Sequence, residues 1–360
     1  KNSIASRSIT FNRFLLEISN SLSKRFIVFL CCKDPINIDN LDHLEREYID
    51  FPDSFRDLLC LKKNCRMIKQ IFKILNNSDI VYLHTPLAAH LVRLVNLFSF
   101  KKVKIIYHIH GLRYIPGEWS SKQLFYRLIE YILSFKTDKF IAINKLDYFS
   151  LLKFIPKNKV SLIKGVGVNL PSKFSIKKLP NSRDDFVVGV IGAFKKTKGY
   201  IQLINIAKIC QKNPNIIFRV FGYGNPSWIL ELIKKEDITN IFIEGYVKNI
   251  ELEIDKFNLF MLPSHREGLN VSIQECLSRG IPVLTTTERG CKDLIIDGYN
   301  GFLYDKFDIQ KGSEIILNIS KMKRSDYSKL SLNSFKYAKK YLSRDIKNKE
   351  IFNIFKEYAV

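Results

Sequence analysis

Two glutamates flank a short motif in the second half of the chain. Glu267 and Glu275 are separated by seven residues in the segment REGLNVSIQE, residues 266–275. Helical periodicity starts near Asn270, which places Glu275 in the second turn of a helix and Glu267 in the loop before it. Both carboxylates could face one pocket at the start of this helix, where the amides of Leu269 and Asn270 would hold a phosphate. Such a pocket would suit a nucleotide sugar, because carboxylates accept hydrogen bonds from vicinal hydroxyls. An ordinary capped helix with solvent-facing glutamates explains the spacing equally well.

A basic loop offers a second candidate for anion binding. The segment from Gly192 to Gly199 follows a predicted strand, Phe186–Ile191, and precedes a predicted helix, Tyr200–Cys210. Amides at the start of a helix point toward a bound anion, and Lys198 would add a point charge for a phosphate. A solvated basic turn that only joins strand to helix is the alternative, because lysines are abundant in this chain.

Glycines and histidines at other strand ends complete the candidate set. Gly222 and Gly224 follow a strand directly and would let the backbone approach a ligand, although a plain tight turn is the simpler explanation. His110 precedes a glycine at the end of another predicted strand, where active-site groups collect in parallel sheets. A structural, hydrogen-bonded role is the alternative for His110. His108 is expected to point into the core, and the role of His265 stays open.

Short apolar runs that alternate with helical segments must position these residues. This alternation predicts parallel sheets with covered faces, that is, doubly wound α/β domains. The predicted strands are Phe26–Leu30, Asp79–Leu83, Lys104–His108, Lys139–Ile143, Val160–Ile163, Phe186–Ile191, Ile216–Phe221, Ile241–Glu244, Leu259–Leu262 and Pro282–Thr285. Among the helical segments, Gln123–Phe135 carries an apolar face. That face consists of Leu124, Leu128, Ile129, Ile132 and Leu133.

The composition indicates a boundary between two domains. The segment Gly165–Asp185 contains prolines, glycines and charges and has no sustained period, so it reads as a linker. We expect a first Rossmann-like domain over residues 1–170, a linker over 171–185, a second Rossmann-like domain over 186–340 and a C-terminal helix over 341–360 that returns toward the first domain. Two such domains would face each other across a cleft at the carboxyl ends of their strands.

Composition limits the class of protein. The 360 residues are 46% hydrophobic and 26% charged, as in an ordinary soluble globular enzyme. The net charge of +23 calls for an anionic partner, which could be nucleic acid, anionic lipid or a phosphorylated small molecule. The seven cysteines form no C-x-x-C pair, which favours reduced thiols over disulfides or a zinc site. No apolar run reaches the roughly 18 residues that a membrane span needs.

The stretch from Val190 to Tyr304 resembles the second domain of GT-B glycosyltransferases, specifically the retaining group with the E-x7-E signature, family 4 or glycosyl transferases group 1. Several motifs agree with the family pattern in order and spacing. They are the G-x5-K-G loop ending at Gly199, the turn at Gly222, the GYV tripeptide at 245–247, the glutamate pair and the segment RGIPVLTTTERGCKDLIIDGYNGFL. The first half is similar more loosely, through YHIHG at 107–111. The implied architecture is GT-B.

The resemblance implies roles for the matching residues. The predicted catalytic residues are His110, Lys198 and Glu267: the histidine and the glutamate would contact the donor sugar, and the lysine would neutralise the diphosphate. Glu275 would bind the nucleotide ribose and Val247 would lie beside the base. The full predicted donor-binding set is Gly192, Lys198, Gly222, Val247, Glu267, Gly268, Leu269, Asn270 and Glu275.

The implied reaction is transfer of a hexose or N-acetylhexosamine from a nucleotide-diphosphate sugar, with UDP favoured over GDP, and with retention at the anomeric carbon. The expected acceptor is a lipid-linked saccharide in bacterial surface polysaccharide synthesis, such as O-antigen, capsule or exopolysaccharide. No metal or other cofactor is expected, and no D-x-D motif occurs. The basic first half suggests a peripheral enzyme on the cytoplasmic face of an anionic membrane, with Lys101, Lys102, Lys104 and the helix around Arg127 as contacts.

Two features depart from the family pattern. Ala193 stands where the family usually has arginine, so Lys195 or Lys196 would have to replace that charge. A helical pattern follows Lys1–Arg7 almost at once, so we expect a copy that lacks its first strand and is poorly active. Rival functions are a nucleotide-sugar epimerase of the same architecture and an inactive truncated transferase. Neither half has the glycine fingerprint of dinucleotide oxidoreductases, and no nucleic-acid recognition module is present.

Overall fold

The computed structural model describes residues 29–32, 45–48, 61–84, 86–115 and 117–358. They form two compact units, each built from parallel strands and helices. The described residues up to Ile163 belong to the first unit, together with the residues from Asn348 onward, and Lys164–Lys347 form the second unit. The helical pattern predicted near the start of the chain lies outside the described residues.

The first unit contains two parallel sheets. Its two-stranded sheet pairs β1 (Phe29–Cys32) with β2 (Glu45–Tyr48). Its four-stranded sheet has the order β3-β4-β5-β6, and these strands are Ile80–Leu83, Lys104–Ile109, Lys139–Ala142 and Val160–Leu162. The helices of this unit are α1 (Leu61–Asn77), α2 (Pro86–Leu97), α3 (Ser121–Ser134) and α4 (Lys145–Leu151). Because every described pair is parallel, the carboxyl ends of neighbouring strands meet at one edge.

The second unit contains one six-stranded parallel sheet with the order β12-β11-β10-β7-β8-β9. In chain order the strands β7 to β12 are Phe186–Ile191, Ile216–Phe221, Ile241–Gly245, Leu259–Leu262, Val283–Thr286 and Gly301–Tyr304. The helices α5 to α10 are Tyr200–Cys210, Ser227–Lys235, Ile250–Ile254, Val271–Ser278, Ile309–Ser320 and Arg324–Tyr341. A last helix, α11 (Arg344–Lys356), begins in the second unit, and its residues from Asn348 onward belong to the first.

The predicted strands coincide with strands of the structure to within a few residues, apart from Phe26–Leu30, of which only the part from Phe29 is described. Two further strands, β2 and β12, were missed. The β2 sequence, EREY, has no apolar run, so it lacks the pattern of a buried strand. The β12 sequence, GFLY, is apolar but only four residues long and begins with a glycine directly after a turn. Inward-facing strand residues such as Val188 and Phe218 pack with Leu203 of α5 in the core of the second unit.

The segment predicted to be a linker packs against the second unit. The rings of Phe174 and Phe335 stack with centroids 3.8 Å apart, and the amide of Lys177 donates to the Ser331 hydroxyl at 2.9 Å. Gly165 adopts a φ of +78° and lies against the side chain of Gln274. The polar composition of the predicted linker therefore reflects an irregular segment that packs on the surface of the second unit, and not a flexible interdomain linker.

The apolar face predicted for α3 is not the face that packs. Leu133 is buried and Ile129 is half-buried, but Leu124, Leu128 and Ile132 are exposed. The side of the helix that is buried also contains a charged residue, Glu130. Within the described residues, no helix combines the length and the hydropathy needed to cross a membrane.

Candidate active site

The basic loop after β7 is held tightly against the end of β10. The Tyr200 hydroxyl donates to the carbonyl of Gly192 at 2.8 Å, which fixes the start of the loop against the start of α5. Gly199 has a φ of +74°, and a Cβ there would lie 1.9 Å from the carbonyl oxygen of Pro263. The amide of His265 donates to the Thr197 carbonyl at 3.0 Å. The sequence needs glycine at 199 because the two loops approach backbone to backbone.

This loop carries the central ion pair of the site. The Lys198 ammonium group forms a short hydrogen-bonded ion pair with the carboxylate of Glu267. The two side chains keep only 21% and 11% of their accessible surface, so solvent screens the pair incompletely. Two residues that lie 69 positions apart are therefore joined in one polar group, as expected if both contact the same ligand.

The acidic loop is supported from the neighbouring strand. The amide of Glu267 donates to the Arg289 carbonyl at 3.1 Å. Gly290 has a φ of +74°, and a Cβ there would meet the carbonyls of Glu267 and Gly268 at 2.5 and 2.3 Å. The Arg289–Gly290 pair therefore supports the loop, a function that sequence analysis did not assign. The signal was available: an RG dipeptide lies three residues beyond β11, a strand that pairs with β10.

Helix α8 begins with a clear cap. Asn270 is the N-cap residue, and its side chain accepts from the Ile273 amide at 3.1 Å, so the helix proper starts at Val271. The amides of Val271 and Ser272 have no acceptor among the described residues, as is usual in a first helical turn. Glu275 is half-buried in the second turn, and Leu269 is buried before the cap. The arrangement presents a positive helix end beside Glu267.

Gly192, Gly222 and Gly245 lie side by side at the carboxyl ends of β7, β8 and β9. The Gly192 amide donates to the Phe221 carbonyl at 2.9 Å, and the Gly222 amide donates to Gly245 at 2.8 Å. A Cβ on Gly222 would lie 1.9 Å from the Gly192 carbonyl, so internal packing alone requires glycine there. At Gly192 a Cβ would meet nothing nearer than 3.6 Å, so packing leaves that position open. Val247, two residues beyond β9, is half-buried.

Ala193 is buried and turned away from solvent, and the exposed Lys195 and Lys196 follow it. The backbone here is pinned, because the Phe194 amide donates to the Tyr223 carbonyl at 2.9 Å. The loop therefore keeps its shape without a long cationic side chain at position 193. Compensation by Lys195 or Lys196 stays a prediction.

Three histidines cluster at the carboxyl edge of the sheet in the first unit. The Nδ1 of His84 is 3.1 Å from the Nε2 of His110, and the Nδ1 of His108 is 2.6 Å from the Tyr82 hydroxyl. His108 is fully buried, as the sequence predicted. His84 is not among the residues predicted from the sequence, although it follows β3 directly and β3 pairs with β4.

This three-histidine cluster is uncharged at neutral pH. Burial lowers the pKa of His110 to about 4. Burial, reinforced by the nearby His110 ring, lowers the pKa of His84 and of His108 well below the ordinary value. One ligand atom from each ring lies within 4.8 Å of the others, and among the residues that the structure describes no other group of three or more such side chains has this geometry. Neutral rings so placed could hydrogen-bond sugar hydroxyls or hold a metal ion such as Zn²⁺.

The residues around the ion pair fall within a known family. Residues 172–340 match the family model described as "Glycosyl transferases group 1". The chain carries a group 1 glycosyl transferase domain. Every predicted donor-binding residue lies inside the matched range, and the three-histidine cluster lies outside it.

Relatives of this chain point to the same family. It is 28% identical to the capsular polysaccharide biosynthesis glycosyltransferase CapM of Staphylococcus aureus over 73% of this chain and 71% of the relative. It is 23% identical to the UDP-Gal:alpha-D-GlcNAc-diphosphoundecaprenol alpha-1,3-galactosyltransferase of Escherichia coli over 83% of this chain and 81% of that protein. Such relatives include glycosyltransferases of bacterial polysaccharide synthesis.

The fold agrees with that of a solved structure. Anabaena Alr3699/HepE, crystallised with UDP and glucose, is 18% identical and superposes with a TM-score of 0.76 over 95% of each chain. At this identity the likeness concerns the fold. It confirms the predicted α/β architecture with two parallel-sheet, Rossmann-like domains.

Proposed function

We propose that this glycosyltransferase transfers a hexose or N-acetylhexosamine from a UDP-sugar to a lipid-linked saccharide, with retention, in the synthesis of a bacterial surface polysaccharide. The observation that carries the proposal is the Lys198–Glu267 ion pair beside the start of α8. It places one cation, one carboxylate and a positive helix end at the carboxyl edge of a parallel sheet, where α/β domains bind nucleotides.

Each group has a part in donor binding. Lys198 and the first amides of α8 would hold the diphosphate, since charge-assisted hydrogen bonds are the strong ones. Glu275, in the second turn of the same helix, would accept from the ribose hydroxyls. Glu267 would contact the transferred sugar, and Val247 would lie by the base.

In the proposed reaction the bond between the anomeric carbon and the diphosphate oxygen breaks first. Lys198 stabilises the negative charge that develops on the leaving UDP, as a preorganised cation in a partly desolvated site. The acceptor hydroxyl attacks on the face that UDP leaves, and its proton passes to a phosphate oxygen of UDP. The configuration is therefore retained, and no protein nucleophile is used. His110 would contact the sugar as a neutral hydrogen-bonding ring.

Related proteins support the choice of substrates. The name of the Escherichia coli relative specifies UDP-Gal and a diphosphoundecaprenol acceptor, and the Anabaena structure contains UDP and glucose. Neither a metal nor a GDP-sugar is needed for the proposed reaction. The proposed location is the cytoplasmic face of the cytoplasmic membrane, where lipid-linked acceptors would be met.

The test begins with a thermal-shift screen of UDP-sugars and GDP-sugars. The best donor is then incubated with undecaprenyl-diphosphate saccharides, and the anomeric configuration of the product is determined by NMR. Retention with a UDP-sugar is expected. Inversion would contradict the mechanism, and a preferred GDP-sugar would contradict the donor. Conversion of the donor sugar to its epimer without acceptor would instead indicate an epimerase.

A further inference from the structure

Helices α2 and α3 bury charged side chains on the side that faces the core of the first unit. Glu130 of α3 accepts from Arg93 of α2 at 2.9 Å, and it lies 2.7 Å from the Nε2 of His90. All three side chains are at least nine-tenths buried. The Arg93 guanidinium lies 4.3 Å from the centroid of the Tyr107 ring on β4. Buried charged groups need partners, and Glu130 serves as the shared partner of Arg93 and His90 between the two helices.

The opposite side of α3 is apolar and faces outward. Its exposed residues recur at helical spacing and form one continuous stripe: Leu124, Phe125, Leu128, Tyr131, Ile132 and Phe135. We call these six residues the outer face of α3. Trp119, just before the helix, is 80% exposed, and Phe98, just after α2, is 70% exposed. An amphipathic helix of a soluble protein normally turns such a stripe inward. An apolar stripe of this size on a surface indicates an interaction site.

Basic side chains surround this face. Lys122 and Lys136 stand exposed at its two ends, and Arg127 lies over the Trp119 ring at 4.6 Å from the centroid. The helix has one acidic residue, Glu130, which is buried and paired with Arg93. An exposed acidic residue, Glu118, precedes the helix and accepts from Gln123. The surface therefore combines an apolar centre with a rim that attracts anions.

The charge pattern favours one occupant. In a symmetric pair of copies the outer face of α3 would meet itself, and the basic rims would be brought together in a low-dielectric interface. A chain with a net charge of +23 adds to that repulsion. An anionic bilayer offers the complement to both parts: an acyl boundary for the apolar stripe and phosphates for the rim.

We propose that the outer face of α3, with Trp119, docks the protein on the surface of an anionic membrane. The helix lies in the plane of the interface, its leucine and aromatic side chains enter the boundary between headgroups and acyl chains, and Lys122, Arg127 and Lys136 contact lipid phosphates. This inference deepens the proposed function and rests on it in one respect, since a lipid-linked acceptor would be met at such a surface.

Tryptophan fluorescence gives a direct test. The chain has two tryptophans, and Trp228 is partly buried against the core of the second unit, so the Trp228→Phe protein reports on Trp119 alone. Adding mixed phosphatidylcholine–phosphatidylglycerol vesicles should shift its emission to shorter wavelength, and brominated lipids should quench it. An unchanged emission spectrum at low salt would overturn the proposal. No donor or acceptor is present, so this outcome would leave the transferase function untouched.

Variants separate the apolar and the basic contributions. Phe125→Ser combined with Leu128→Ser should lower the vesicle partition coefficient at least about tenfold. Lys122→Gln combined with Lys136→Gln should lower it by about fivefold per residue on anionic vesicles and leave binding to pure phosphatidylcholine unchanged. Phe307→Ser removes a phenylalanine of the second unit that is 75% exposed, more than Phe125 at 54%, and should leave vesicle binding unchanged.

Two further readouts complete the test. All outer-face variants should keep the wild-type affinity for UDP, which distinguishes lost docking from lost folding. If the protein with Phe125→Ser and Leu128→Ser combined binds vesicles as wild type does, the proposal is wrong. If light scattering shows a wild-type dimer that this double variant dissociates, the face is an interface between copies and membrane docking is likewise refuted.

Discussion

Replacing Lys198 by methionine and Glu267 by glutamine should change the affinity for UDP in opposite directions. The Lys198 ammonium group donates to the carboxylate of Glu267, so a diphosphate must compete with that carboxylate for the cation. Lys198→Met removes the cation, whereas Glu267→Gln removes the competitor and one negative charge near the phosphates.

The magnitudes follow from the burial of the pair. A charge-assisted hydrogen bond contributes about 1.5–3 kcal/mol, so Lys198→Met should weaken UDP binding about tenfold to a hundredfold. For Glu267→Gln we expect UDP binding to gain about 0.5–1.5 kcal/mol, or roughly twofold to tenfold in affinity. The reason is that UDP no longer has to break the partly buried Lys198–Glu267 hydrogen bond before it can bind Lys198. Sugar transfer by Glu267→Gln should nonetheless fall by about 10²-fold, since its contact with the donor sugar is weakened.

Isothermal titration with UDP measures both affinities, and NMR of the transfer product measures the rate. Lys208→Met is the matched control, because it removes a lysine from the same domain whose ion pair with Glu236 is exposed. It should bind UDP as wild type does. Equal losses in Lys198→Met and Lys208→Met would refute a specific diphosphate contact, and weaker UDP binding in Glu267→Gln would refute the competition.

Three further predictions concern stability and cofactors. Gly199→Ala should lower the free energy of unfolding, measured by urea denaturation, by at least about 2 kcal/mol, because its Cβ would meet the Pro263 carbonyl. Gly298→Ala is the control: it has a similar positive φ but open space around its Cβ, and it should lose only about 1 kcal/mol. Glu130→Gln should lose about 3–5 kcal/mol by leaving Arg93 buried without its charge partner. Burial alone would raise the pKa of Glu130, but Arg93 and His90 lower it to about 2 from 4.5. The stability that Glu130 contributes to the wild type should therefore be fully present above pH 4.5 and fall as the pH drops toward 2. Acid denaturation of Glu130→Gln should lack this dependence on pH. EDTA should leave transfer unchanged, and loss of activity that Zn²⁺ restores would instead assign a metal to the three-histidine cluster.

The features of the site that could be predicted are those that depend on residues close together in the sequence. The alternation of apolar runs and helical segments located the strands of the four-stranded sheet and all strands of the six-stranded sheet except β12. The cap at Asn270 fixed the start of α8 almost to the residue. Parallel topology then brings the glycines after β7, β8 and β9 to one edge, as it must when every strand runs the same way. The strand β2 escaped detection because its EREY sequence shows no apolar run.

The sequence by itself determined the chain's two α/β halves, its group 1 motifs and the loop positions of Lys198 and Glu267. Only the tertiary structure decided that these two side chains pair, that His84 joins His108 and His110, and that the apolar stripe of α3 faces outward. The reason is that periodicity fixes which residues share a helix face but not which way that face turns. In α3 the direction was set by Arg93 and His90, residues of another helix that bind Glu130.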